Sequence, residues 1–258
     1  MGHCLNKMSA MELDKIYNED CIATLSRMQN DSIDLIITSP PYNKNFYCSS
    51  KGQSTSWRAL RGAQIPYDVF TDSLQPEEYE SWQRKVIQEC LRVLKPTGSL
   101  FYNHKDIISR GQIVVPKYIY DFPVHQQIIW NRGSCLDNNK RYFQPITEYI
   151  YWLVKDSKQF FFDKSQAVYK QSVWNINFEI NTDHPAPFPK VLVGNIIKSC
   201  SKINDVVYDP FMGSGTVALM AKMLGRYYLG SEISENYVNM ANKRLMQDKI
   251  QPVLFNLF

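Results

Sequence analysis

The chain has 258 residues, 44% of them hydrophobic and 21% charged, with a formal net charge of +4. That balance describes a packed α/β domain with a modest insertion, not a disordered or fibrous chain. No apolar run approaches the roughly 18 residues that a membrane span needs, and no signal-peptide core opens the chain, so nothing points to export.

The first ten residues read as a loose leader, with Met8 or Met11 as other starts. Ser32 to Thr38 is a short, β-branched apolar run and predicts a buried strand. Ser39-Pro40-Pro41-Tyr42 ends it, because proline cannot continue a central strand. Residues 43–67 form a polar loop with four basic residues (Lys44, Lys51, Arg58, Arg61) and no acidic one. It is too long for a plain connector and is expected to be functional. Pro76 opens a helix with Glu77 and Glu78 in its first turn. Tyr79, Trp82, Val86, Cys90 and Val93 give that helix one apolar stripe, and Lys95 to Gly98 stop it. Strands are expected at 99–102, 124–130 and 149–154. Residues 131–178 are aromatic and irregular and read as an inserted region more than as sheet core. Seven basic and four acidic residues lie between 131 and 170, a second basic patch of the kind a nucleic-acid backbone needs. The last third returns to regular alternation: a helix over 189–200, a strand over 206–208, a glycine-bearing turn over 209–216, and a helix stopped by Gly225. A strand over 227–230 then runs towards Glu232, and Ser234 caps a final helix. This alternation predicts a Rossmann-like, mostly parallel sheet with helices on both faces.

The six cysteines (4, 21, 48, 90, 135 and 200) lie far apart, and the four histidines do not complete a metal-binding spacing. Reduced thiols and no metal are expected.

Two segments carry chemistry. Asp209-Pro210-Phe211-Met212-Gly213-Ser214-Gly215-Thr216 joins a strand to a helix, and its glycines let a ligand approach the backbone. A full dinucleotide fingerprint and a phosphate-cradling Gly-Lys-Ser/Thr are both absent. Glu232 stands 17 residues after Gly215, at the end of the next strand, where an acidic residue accepts hydrogen bonds from ribose hydroxyls. Together they predict a site for an adenosyl ligand. Thr38-Ser39-Pro40-Pro41-Tyr42 should face the same crevice. The amine of a nucleobase is a poor nucleophile, since its lone pair is conjugated into the ring. The Ser39 hydroxyl and the Pro40 carbonyl are two acceptors that would draw such an amine towards a pyramidal state. Pro41 would stiffen the turn, and Tyr42 offers a π-face to a base taken out of a duplex.

Thr-Ser-Pro-Pro-Tyr followed far downstream by Asp-Pro-Phe-Met-Gly-Ser-Gly-Thr resembles the β-group of bacterial S-adenosylmethionine-dependent DNA amino-methyltransferases. The resemblance spans roughly residues 14–246. Lesser segments agree in order: Asp20-Cys21 with the group's adenine-contacting segment, Leu94 to Ser99 with its central helix–strand turn, Ile128 to Asn131 with a pocket strand, and His184 to Pro189 with the segment beside the methionine moiety.

The resemblance implies a catalytic half over 12–134, a target-recognition region over 135–178 and a cofactor-binding half over 179–258. It implies S-adenosyl-L-methionine as cofactor. Asp20, Cys21, Asp209, Phe211, Gly213, Gly215, Thr216 and Glu232 would bind it, and Ser39, Pro40, Pro41 and Tyr42 would be catalytic. The substrate would be double-stranded DNA in a bacterial cytoplasm. A serine before Pro-Pro-Tyr favours N4 of cytosine, with N6 of adenine as the alternative. Cytosine-C5 chemistry is rejected, because it needs a nucleophilic cysteine, typically in Pro-Cys, and no proline here precedes a cysteine. A non-catalytic nucleic-acid-binding module and a methyltransferase acting on RNA or a small molecule remain as competing readings. The chain shows no nuclease or helicase motif, so a restriction endonuclease partner would be a separate protein.

Overall fold

The computed structural model describes residues 11–44, 72–135, 140–177 and 188–247. An eight-stranded sheet runs in the order β1-β10-β9-β2-β3-β7-β6-β8. Its strands are β1 (Lys15–Tyr17), β2 (Ile33–Thr38), β3 (Leu94–His104), β6 (Val124–Asn131), β7 (Thr147–Val154), β8 (Val173–Asn175), β9 (Val206–Asp209) and β10 (Tyr227–Ser231). A separate hairpin joins β4 (Ile107–Ser109) to β5 (Gln112–Val114). Five α-helices accompany them among the described residues: α1 (Cys21–Arg27), α2 (Pro76–Val93), α3 (Lys190–Cys200), α4 (Thr216–Met223) and α5 (Glu235–Gln247).

Every pairing in the large sheet is parallel except those of β7 with β3 and β6. The C-terminal ends of β1, β10, β9, β2, β3 and β6 therefore share one edge, and the reversed β7 brings its N-terminal end there. Side chains alternate across the strands, as a two-residue period requires. Leu35, Ile37, Phe101, Ile150 and Trp152 face α3, α4 and α5, while Ile36, Leu100, Tyr102, Tyr151 and Leu153 face α1 and α2. The mostly parallel sheet covered on both faces is thus the architecture found. No helix among the described residues is long and apolar enough to cross a membrane.

Three differences from the sequence reading have physical causes. Residues 131–178 hold more sheet than expected: β7 covers the strand expected at 149–154, and the short edge strand β8 is added. β7 lies between β3 and β6, β8 closes the edge, and Ile150, Trp152 and Trp174 are core. The near-continuous apolar run of β7 suits a strand buried on both faces. Lys95 to Gly98 stop α2 but already belong to β3. They bulge against β2, where Ile33 pairs with Leu94 and Leu35 with Ser99. Finally, the buried stripe of α2 includes Gln83, which accepts a hydrogen bond from the Tyr102 hydroxyl, whereas Trp82 is only partly buried. The expected leader, residues 45–71, which include most of the basic loop, and residues 178–187, which hold His184 to Pro187, lie outside the described residues.

The bulge explains Gly98. A Cβ there would stand 2.7 Å from the Asp34 carbonyl oxygen, which is rigid backbone, and 2.7 Å from Leu94 Cδ1. Gly98→Ala should therefore lower unfolding free energy by about 1–3 kcal/mol, as overpacking does. Urea denaturation checks this, and a wild-type midpoint would show that the bulge relaxes freely.

Candidate active site

The turn after β2 is held from several sides. Thr38 Oγ1 donates to Asp209 Oδ1 at 2.8 Å, both groups being buried. This bond ties the end of β2 to the end of its neighbour β9. Asp209 Oδ1 also accepts from Phe211 N at 3.0 Å. On the α2 side, the Tyr79 hydroxyl donates to the Pro41 carbonyl at 2.8 Å and lies 3.0 Å from His104 Nε2. His104 Nδ1 lies 2.9 Å from both the amide nitrogen and the carbonyl oxygen of Lys105. Asn43 takes a left-handed conformation (φ 58°) and exchanges two hydrogen bonds with the Leu74 backbone. Asp72 accepts from Asn43 N at 2.6 Å and Lys44 N at 3.0 Å.

Ser39, Pro40, Pro41 and Tyr42 therefore come together at the C-terminal edge of the sheet. Ser39 Oγ lies 2.6 Å from the Tyr42 hydroxyl. Asn103 Nδ2, at the end of β3, donates to the Tyr42 hydroxyl at 2.6 Å and to Glu148 Oε2 at 2.8 Å, and lies 3.4 Å from Ser39 Oγ. The Tyr42 hydroxyl also reaches Glu148 Oε2 at 3.2 Å, and Arg132 Nη1 holds Glu148 Oε1 at 3.0 Å. The Tyr42 ring is 7% exposed, packs on His104 with centroids 4.7 Å apart, and has Lys44 Nζ 4.9 Å from its centre.

The glycine turn lies one strand away. Gly213 and Gly215 have φ of 52° and 79°. Glu232 Oε2 accepts from Gly213 N at 2.8 Å and Oε1 from Ser234 N at 2.9 Å, which locks the acid after β10 onto the turn. Asn18 Nδ2 donates to the Glu232 carbonyl, so the end of β1 joins the same cluster.

The comparisons with known proteins agree. The family of N6/N4 DNA methylases matches residues 33–243. The type II methyltransferase M.BglII of Bacillus subtilis is 31% identical over 93% of this chain and 71% of its own length. The type II methyltransferase M.HinfI of Haemophilus influenzae is 32% identical over 93% and 70%. The chain belongs to this DNA methylase family. Solved structures share its fold. PvuII DNA methyltransferase (cytosine-N4-specific) superposes with a TM-score of 0.70 at 20% identity, covering 95% of this chain and 90% of that one. A putative DNA modification methylase of Thermus thermophilus, complexed with S-adenosyl-L-methionine, gives 0.62 at 23% identity, covering 89% and 93%.

The methylase is thus an S-adenosylmethionine-dependent enzyme acting on an exocyclic amino group of DNA. Its residues fit that cofactor. The turn offers backbone and carboxylates and has no phosphate cradle, which suits a sulfonium cation and ribose hydroxyls. Asp209 is buried beside Glu232. Burial chiefly, and the Glu232 charge in addition, push its carboxyl up to about 7.

Two expected cofactor residues are placed differently from the rest. The Asp20 carboxylate caps α1 by accepting from Ile22 N at 2.8 Å. The Cys21 side chain is core, packed with Leu25 and Cys90, and burial raises its thiol pKa well above the ordinary range. Sequence reasoning missed Tyr79, Asn103, His104, Arg132 and Glu148. Asn103 and His104 were legible as the polar end of the apolar run 99–102, and Glu148 as a lone acid opening a buried strand. Burial holds the His104 imidazole down at about 4, so it is neutral at pH 7. Burial likewise lowers the Lys105 ammonium to about 8, helped by the nearby Lys44 charge.

A carboxyl whose pKa is higher folded than unfolded binds more protons in the folded state. Asp209's contribution to stability is fully present below about 3.8 and is lost as pH rises through about 7. The depressed His104 acts in the opposite sense over the same range, so wild type must be compared with Asp209→Asn, which keeps an acceptor for Thr38. Between pH 4 and 7 the stability of the wild type relative to that variant should fall. Parallel curves in pH-dependent urea melts would mean that Asp209 titrates normally.

Proposed function

We propose that the protein is a site-specific methyltransferase acting on N4 of cytosine in duplex DNA. The observation that carries this reading is the turn Ser39-Pro40-Pro41-Tyr42, latched by the Thr38–Asp209 bond beside the glycine turn at the ligand-binding edge. When bound, S-adenosylmethionine supplies a methyl group on an electrophilic sulfonium. The chain's own residues do the rest. Ser39 Oγ and the Pro40 carbonyl accept the N–H bonds of the amine and aim its lone pair. Positioning and charge placement dominate such a transfer, and no covalent enzyme intermediate is needed. The Tyr42 ring offers its face to the extruded base once the flexible Lys44 chain swings from it.

On the cofactor side, Glu232 holds the ribose hydroxyls with carboxylate lone pairs beyond those used by Gly213 and Ser234. Gly213, Gly215, Phe211 and Thr216 line the turn. Asp209 acts from behind it, and Asp20 and the Cys21 backbone flank the adenine. Base and flanking-sequence recognition falls to the parts of 135–178 outside β7 and β8. There Lys140 and Arg141 precede the fully exposed Phe143. An enzyme of this kind works in a bacterial cytoplasm at the nucleoid, and a restriction endonuclease acting with it would be a separate chain.

Ser39→Ala should keep cofactor binding and lose transfer by about 10²–10³-fold, on the scale of one lost active-site hydrogen-bonding group. Normal turnover in a labelled-methyl assay would remove Ser39 from the reaction. Methylation-sensitive sequencing of DNA from cells expressing the chain should report N4-methylcytosine in one sequence context, whereas N6-methyladenine would overturn the choice of base. Glu232→Ala should weaken S-adenosylmethionine binding by about tenfold or more, the scale of a lost charge-assisted hydrogen bond. Unchanged affinity by calorimetry would refute the ribose contact.

A further inference from the structure

The hydrogen bonds around Ser39 have a direction that distances alone leave open. At 2.6 Å, either Ser39 or Tyr42 can donate to the other. If Tyr42 donates, the Ser39 proton is left to point at the substrate amine, which itself presents protons. If Ser39 donates, its lone pairs face the amine. The second arrangement is the one that an acceptor of amine N–H bonds requires.

We propose that Glu148 selects this second arrangement and is a positioning residue for the transfer. A tyrosine hydroxyl has one proton, and a carboxylate only accepts. Glu148 Oε2 lies 3.2 Å from the Tyr42 hydroxyl, and a hydrogen bond to a charged acceptor is the stronger choice for that proton. Tyr42 oxygen is then an acceptor only. It takes one N–H from Asn103 Nδ2 at 2.6 Å and the O–H of Ser39 at 2.6 Å, which fills its two lone pairs.

The Asn103 amide is held in the matching orientation. Its Nδ2 faces Glu148 Oε2 at 2.8 Å, while its buried Oδ1 has no hydrogen-bond partner. Flipping the amide would set Oδ1 against the Glu148 carboxylate, so the orphaned oxygen marks an orientation set by Glu148. Arg132 fixes the other carboxylate oxygen at 3.0 Å, which stops Glu148 from turning away. Every donor around the carboxylate thus points inward, and the chain of protons runs from Ser39 through Tyr42 to Glu148.

The inference rests on Ser39 as the amine's acceptor, and the experiment separates the two. Glu148→Gln can donate an N–H to Tyr42 and so removes the bias. Tyr42→Phe removes the hydroxyl, keeps the ring, and leaves the Glu148–Arg132 pair intact, so it reports even if Glu148→Gln folds poorly. In steady-state transfer to duplex DNA, each variant should lose about 10- to 100-fold in kcat, the scale of one charge-assisted hydrogen bond. KM for DNA and calorimetric affinity for S-adenosylmethionine should stay within about twofold, because ground-state binding is untouched. The double variant should be no slower than Tyr42→Phe alone, since Glu148 acts through that hydroxyl. Wild-type kcat in either single variant, or losses that multiply in the double, would overturn the proposal. A silent Ser39→Ala would instead overturn the acceptor role itself. An inactive Ser39→Ala beside fully active Tyr42→Phe and Glu148→Gln would refute Glu148's part alone.

Discussion

The buried bond from Thr38 Oγ1 to Asp209 Oδ1 joins residues 171 positions apart, and the active edge is organised around it. Thr38 ends the strand that leads into Ser-Pro-Pro-Tyr, and Asp209 ends the strand that leads into the glycine turn. β2 and β9 are already neighbours, with Leu35 beside Val207 and Ile36 beside Tyr208. Strand pairing sets their register, and the side-chain bond sets where the two turns depart from it. A transfer between a bound cofactor and a bound amine depends on the spacing of those turns more than on any reactive side chain. The bond also keeps a buried carboxyl hydrogen-bonded, without which it would be costly.

Charge is divided across this edge. On the cofactor side, Asp209 and Glu232 surround backbone amides, an arrangement hostile to phosphate and suited to a cation with hydroxyls. On the catalytic side, Lys44, Lys105 and Arg132 gather around Glu148, and burial among like charges lowers Lys105 to about 8. The side that carries the Ser-Pro-Pro-Tyr turn is basic and the side that carries the glycine turn is acidic, a division that would sort a polyanion from a cation by sign as well as by shape.

The reversal of one strand completes the site. Were β7 parallel to β3, its first residues would lie at the far edge of the sheet. Because it is antiparallel, Tyr149 pairs with His104 and Ile150 with Asn103, and Glu148 reaches the catalytic turn. A strand that looks like plain core along most of its length thereby carries an active-edge carboxylate at its start.

Much of this was legible in the residues themselves. The β-branched run ending in two prolines marks β2 and its abrupt stop. Pro76 with Glu77 and Glu78 marks the start of α2, and Gly213, Gly215 and Glu232 mark a ligand turn with its acid. These are local signals, governed by backbone geometry and by the period of apolar residues. The order of the motifs carried the family, since that order is itself a property of sequence. The reading failed where a residue's meaning lies in its neighbours. Within 131–178 the strand expected at 149–154 is β7, whereas the three-residue β8 is too short to leave a periodic signal. The Cys21 side chain packs against Leu25 in the core, which leaves only its backbone to face a ligand. Asn103, Glu148 and Arg132 are ordinary polar residues in sequence, 45 positions separating the first two. Only the pairing of the reversed β7 with β3 on one side and β6 on the other brings them together, because a hydrogen bond acts over about 3 Å and so depends on where the strands lie, which periodicity and motif spacing do not encode.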